Sequence, residues 1–222
     1  MMSTTFDLQN VSEDYLVDPY RVLAELRAQS PVHKNTDGTF VLTCYADIVQ
    51  TYRDPMIWSS DKRATFKPKF GNTPLFEHHT NSIVFIDPPN HTRIRRLFQS
   101  AFTRKALAAF VPRITGLVDE YLDRFEDQGK MEVVEEFSFR LPIEVVCDLL
   151  GVPRQDRELI RGWANSILTA LEPTLVQKQL DDGNQAVIDF KQYLRDLIAY
   201  KRANPHDAHD TEVLTILADA EA

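Results

Sequence analysis

Apolar residues at helical spacing govern the second half of this chain. Ile114, Leu117, Val118, Tyr121, Leu122 and Phe125 recur at i, i+3, i+4 and i+7, the signature of a helix with one buried face. Gly129 ends that pattern, and Met131 to Val134 is expected as a brief strand. Pro142 opens a helix with Ile143, Val146, Cys147 and Leu150 as its apolar face, and Gly151 followed by Pro153 stops it. Further helices are expected over Arg154 to Leu171 and Asp182 to Arg202, the second with Val187, Phe190, Leu194, Leu197 and Ile198 as its stripe. A short helix, Thr211 to Ala222, follows without a stop signal. Ahead of these, Asp18 caps a helix with Pro19 in its first turn, and Asp37-Gly38 centres a hairpin between Pro31 and Thr43. Ala46 to Arg53 reads as another helix, while Pro55, Pro68, Gly71 and Pro74 mark residues 54 to 86 as an irregular loop of functional length. The expected class is mainly α with a small β-hairpin, in one partial domain over residues 1 to 222.

Composition narrows the function. Charges interrupt every apolar run well short of the roughly 20 residues a membrane span needs. The opening MMSTTFDLQN lacks the basic start and apolar core of a signal peptide, so a cytoplasmic chain is expected. Cys44 and Cys147 fit a reducing compartment. A net charge of -8 argues against general nucleic-acid binding. That charge is uneven. From Pro88 to Val118 there is no acidic residue, while Arg93, Arg95, Arg96, Arg104, Lys105 and Arg113 fall there. Such an island suits an anionic ligand or an acidic partner, unless it is simply a solvated helix face.

The segment DPPNHTRIRRLFQSAF, Asp87 to Phe102, makes this specific. Asp87-Pro88-Pro89 gives an extended approach and Asn90 is placed to cap the helix that follows. His91 and Arg95 are four apart, so both project from one face near the positive end of that helix. Together they form a compact site for a carboxylate or a phosphate. Arg93 and Arg96 point to other sides.

DPPNHTRIRRLFQSAFT, with LPIEVVCDLLGVP from Leu141 to Pro153, resembles two helix signatures of bacterial cytochromes P450, in the right order. The order of elements along essentially all 222 residues is similar to the N-terminal part of that fold. The resemblance implies that His91 and Arg95 hold the haem propionates. It implies that Ile83, Val84, Phe85 and Ile86 line the substrate pocket. The helix around Trp163 to Leu171, with the turn through Glu172-Pro173, would form a lid. Arg93, Arg96, Arg104 and Lys105 would face an acidic ferredoxin-type electron donor, and the substrate would be a small apolar molecule.

Three family elements do not occur here: the oxygen-activating A-G-x-x-T helix, the E-x-x-R element, and the F-x-x-G-x-x-x-C-x-G loop carrying the iron-ligating cysteine. Cys44 and Cys147 lack the glycine-rich setting that presents a thiolate to iron. The chain alone is therefore expected to be catalytically incompetent. The alternatives are a non-catalytic truncated remnant or helical interaction protein, and an unrelated helical ligand-binding domain. His78-His79 with His91 reads as exposed loop histidines rather than a metal site. Lys62, Arg63, Lys67 and Lys69, with Phe66 and Phe70 between them, read as a surface segment over a pocket rather than a nucleic-acid platform.

Overall fold

The computed structural model describes residues 6–7, 10–99, 102–172, 175–204 and Leu214. It divides into two compact units, Met1–Ser59 and Ser60–Ala222. In the first unit, α1 (Glu13–Val17) leads into α2 (Pro19–Gln29), where Asp18 accepts from the Arg21 N–H and Pro19 occupies the first turn, as expected. Strands β1 (Val32–Lys34) and β2 (Phe40–Leu42) pair antiparallel with Val32 opposite Leu42. Gly38 takes φ +88 in their turn, a value that favours glycine. Helix α3 (Tyr45–Arg53) follows.

The second unit is built from helices. Residues 54–86, expected to be irregular, contain α4 (Arg63–Phe70), α5 (Pro74–Asn81) and a 3₁₀ turn (Ile83–Phe85). Of the residues that suggested a loop, Gly71 and Pro74 instead punctuate two short helices, and Pro68 lies inside the first of them. Gly71, at φ +63, closes α4, and Thr73 caps α5 with Pro74 in its first turn. Next come α6 (Asn90–Phe98) and α7 (Arg104–Glu126). Asn90 is the first helical residue and not the cap, because Pro89 already has near-helical torsions (φ -83, ψ -16).

The expected strand at Met131 to Val134 does not form. Val134–Ser138 is a π-helical turn leading directly into α8 (Arg140–Leu150), with the Phe139 N–H donating to the Val134 carbonyl. A β-favouring run without a partner strand is absorbed by the neighbouring helix. Gly151 ends α8 in the left-handed conformation, as expected. A 3₁₀ turn (Arg154–Asp156), α9 (Arg157–Thr169) and α10 (Gln177–Ala203) complete the unit, α10 beginning earlier than its apolar stripe suggested. The helix expected over Thr211 to Ala222 lies outside the described residues, apart from Leu214.

Two apolar clusters hold these helices together. Phe70 and Leu75 from α4 and α5 meet Ile167, Ala170, Ala186 and Val187 from the α9–α10 hairpin. Cys147 and Val152 meet Ile160, Leu197 and Leu214 in the second, and Trp163 and Phe190 pack against both. Gly183 permits the close approach of α5, α9 and α10. A Cβ there would lie 3.0 Å from a Leu75 methyl and 3.3 Å from the Ser166 carbonyl oxygen. Beside it, the Asn184 side chain accepts from the Leu75 N–H at 3.0 Å. The apolar stripe of α7 is only partly covered: Leu117 and Tyr121 are buried, while Leu107, Val111 and Leu122 remain exposed.

Candidate haem-propionate site

Helix α6 carries His91 and Arg95 one turn apart. The entry to the helix is fixed from below, where the Asp87 carboxylate accepts the Ser60 N–H at 2.8 Å and the Asp87 carbonyl accepts the His91 N–H at 3.1 Å. His91 is half-buried and Arg95 exposed. Neither side chain has a hydrogen-bond or ion-pair partner among the described residues. The same holds for Arg93, Arg96, Arg104 and Lys105, the last two opening α7 behind the Thr103 cap.

The sixth basic residue of the acid-free stretch behaves differently. Arg113 donates from Nε to Asp148 at 2.6 Å, and Arg157 reaches the same carboxylate at 2.5 Å while pairing with Glu144. Arg157 also donates to the Val152 carbonyl at 3.3 Å. With 9% of its side chain exposed, it joins the start of α9 to α8 and, through Asp148, to α7. Burial works against the Asp148 carboxylate, but hydrogen bonds from Arg113 and Arg157 more than offset it and hold its pKa below the usual value. Sequence reasoning assigned Arg113 to the basic island and missed this network. The available signal was Glu144 and Asp148, four apart on a helix beside buried Cys147.

The expected pocket segment, Ile83 to Ile86, forms the 3₁₀ turn and its exit. Ile86 is buried, Ile83 and Phe85 are half-buried, and Val84 is exposed. Phe85 packs edge-on against Phe66, with centroids 5.2 Å apart. In the expected lid, Trp163 is half-buried and packs against both apolar clusters, while Pro173 lies outside the described residues. Among the described residues, one cavity of about 370 Å³ is lined by Asn72, Thr73, Pro74, Phe76 and Glu77, and another of about 10 Å³ lies beside Arg157. Neither includes His91 or Arg95.

One minor reading changes, and another gains detail. His79, expected to be exposed, is 3% exposed on α5. The basic segment with Phe66 and Phe70 is α4, whose aromatic rings face the core and so are not a platform for stacking bases. Its cations turn back on the protein: Lys67 lies over the Phe76 ring at 4.9 Å, and Lys69 donates to the Glu172 carbonyl at 2.6 Å. Cys147 is fully buried, and burial pushes its thiol up to about 11, against the lowering effect of Arg157. Cys44 stands at the start of α3.

No family model matches the chain. Individual proteins do. It is 35% identical over 202 residues to the vitamin D(3) 25-hydroxylase of Pseudonocardia autotrophica, an alignment spanning 90% of this chain and 48% of that protein. It is 30% identical over 233 residues to cytochrome P450 107B1 of Saccharopolyspora erythraea, spanning 96% and 52%. Among solved structures, CalO2 superposes with a TM-score of 0.87 at 27% identity, covering 98% of this chain and 53% of CalO2. P450BioI, solved with an acyl carrier protein ligated to hexadec-9Z-enoic acid, gives 0.78 at 26%, covering 94% and 54%. A mainly helical chain with a small hairpin and a cationic sixth helix is thus the N-terminal part of a known fold. The chain belongs to the cytochrome P450 family. It spans about half the length of the relatives it matches.

Proposed function

We propose that this chain supplies the N-terminal portion of a haem-thiolate monooxygenase, in one partial domain of a cytoplasmic enzyme. The intact enzyme inserts one oxygen atom into a small apolar substrate. The observation that carries this reading is the contrast within the acid-free stretch. Arg113 is satisfied internally, while His91, Arg93, Arg95, Arg96, Arg104 and Lys105 have no acidic partner among the described residues. Unpaired cations on helices α6 and α7 are set for anions from outside the chain.

In this reading His91 and Arg95 hold the two haem propionates. An imidazole and a guanidinium spaced one turn apart, in a helix that itself carries no acidic residue, fit that dianionic edge. When bound, haem supplies the oxygen-activating chemistry. The residues of this chain orient it by its acid arms. Ile83, Val84, Phe85 and Ile86 contribute apolar surface toward the substrate. Arg93, Arg96, Arg104 and Lys105 present a positive face to an acidic ferredoxin-type donor. The iron ligand is not provided by Cys147, whose thiol is buried and held protonated. The exposed apolar residues of α7 support the reading of one part of a larger helical domain.

The test is the reduced carbon monoxide spectrum of residues 1–222 mixed with haem. No thiolate-type Soret band is expected, and one would overturn the proposed incompetence of the isolated chain. A monodisperse, cooperatively melting monomer that ignores haem would favour the alternative, a non-catalytic helical interaction protein.

A further inference from the structure

Among the described residues, His79 is the one buried histidine. It lies in the last turn of α5 with 3% of its surface exposed, and its Nε2 has no hydrogen-bond partner. Aromatic rings surround it: Phe70 at 5.4 Å, Phe66 at 5.7 Å and Phe85 at 6.4 Å between centroids. Phe70 belongs to the apolar cluster shared with α9 and α10, and Phe66 packs against it. The imidazole therefore sits behind the wall by which α4 is attached to the rest of the unit.

The basic groups around this ring disfavour a further positive charge. From α4 come Lys69, whose ammonium is held on the Glu172 carbonyl after α9, and Arg63, which approaches the Thr80 carbonyl at 3.5 Å. From α5 comes His78, with its ring 5.3 Å away. The carboxylates nearby are engaged elsewhere: Glu77 pairs with Lys191 of α10 at 3.1 Å, and Asp61 pairs with Arg63 at 2.6 Å. No carboxylate hydrogen-bonds to His79 among the described residues. A neutral imidazole is tolerated in such a place. An imidazolium is not, because it must satisfy two N–H donors and carry charge among phenyl rings.

We propose that His79 is a proton-operated pin. Neutral, it locks α4 against α5; protonated, it leaves its aromatic seat and releases α4 from the core shared with α9 and α10. Burial first, then His78 and Lys69, lower its pKa from 6.5 to about 4. A base depressed in the locked state binds protons better once released. The lock is therefore complete above pH 6.5 and weakens as pH falls toward 4. Because Phe85 belongs to the proposed substrate loop, release would also loosen that loop. This consequence rests on the function proposed above, whereas the pin rests on packing alone.

Hydrogen–deuterium exchange on the 222-residue chain tests it, with peptides from residues 63–81 compared with α8 as an internal reference. After correction for intrinsic exchange, protection of 63–70 should fall on the order of ten-fold between pH 7 and pH 5, with α8 unchanged. His79→Phe keeps an aromatic ring but cannot titrate, so its protection should stay flat. An equal loss in His79→Phe, or no loss in the unaltered chain, overturns the proposal. If His79→Phe does not fold, an NMR titration of the His79 ring decides. Titration near 6.5 with α4 still protected overturns the pin; neutrality to well below pH 6, with loss of α4 protection as the proton binds, supports it.

Discussion

Arg95 and Arg113 come from the same acid-free stretch, and the fold uses them in opposite ways. Arg113 turns inward to Asp148, which it shares with Arg157, and three helices are joined through that carboxylate. Arg95, with its neighbours on α6 and the start of α7, meets no acid among the described residues. A cluster of like charges in sequence is thus two structures. One is a cross-brace whose charges cancel, and the other is a surface left positive at a cost in self-repulsion that only an external anion relieves. Sequence alone cannot separate them, because Asp148 is 35 residues away from Arg113.

Substitution should separate the two groups most sharply at Arg157. Arg157→Met leaves Glu144 without its ion-pair partner and Asp148 with Arg113 alone in a largely buried setting, and should cost about 3–5 kcal/mol in chemical denaturation. His91→Ala with Arg95→Ala should hardly move stability, yet reduce haem retention by the complete holoenzyme on the order of ten- to a hundred-fold, read as the rate of haem transfer to an apo-acceptor. A loss of stability comparable to that of Arg157→Met would show that this pair is structural after all.

Next in size is Gly183→Val, which places a side chain against Leu75 and the Ser166 carbonyl and should cost about 1–3 kcal/mol. An acid series on Asp148→Asn adds a sign to the comparison. The Asp148 pKa is depressed on folding, so its contribution is present above pH 3.8 and disappears as pH falls through the lower folded value. The gap between Asp148→Asn and the unaltered protein should therefore close in strong acid. The smallest effect is expected for Arg96→Gln or Lys105→Gln, within about 0.5 kcal/mol of the unaltered protein. These two should instead weaken the salt dependence of association with an acidic donor.

Much of the fold was legible where a residue has a single use. Asp18 with Pro19 starts a helix, Asp37-Gly38 turns a hairpin, and Gly151 with Pro153 ends a helix; all three behave so. Gly71 and Pro74 misled because the same residues end one element and begin another, Pro68 misled because it is accommodated inside α4, and two helices of eight residues each are too short to show periodicity. Met131 to Val134 misled because β-branched residues become a strand only when another strand is near. The turn spacing of His91 and Arg95 was readable from the sequence of α6 alone. The burial of His79 was not, since it depends on Phe66 and Phe70 folding over it from another helix.

The notch at Gly183 has a consequence for anyone exchanging segments between relatives of this chain. Leu75 fits there only because position 183 has no side chain, and Asn184 receives the neighbouring backbone N–H. Residues 63–81 and 157–203 therefore inherit each other's shape. Chimaeras that take these two stretches from different parents should fold poorly unless both carry a small residue at the notch, whereas crossovers that keep the pair together should be tolerated.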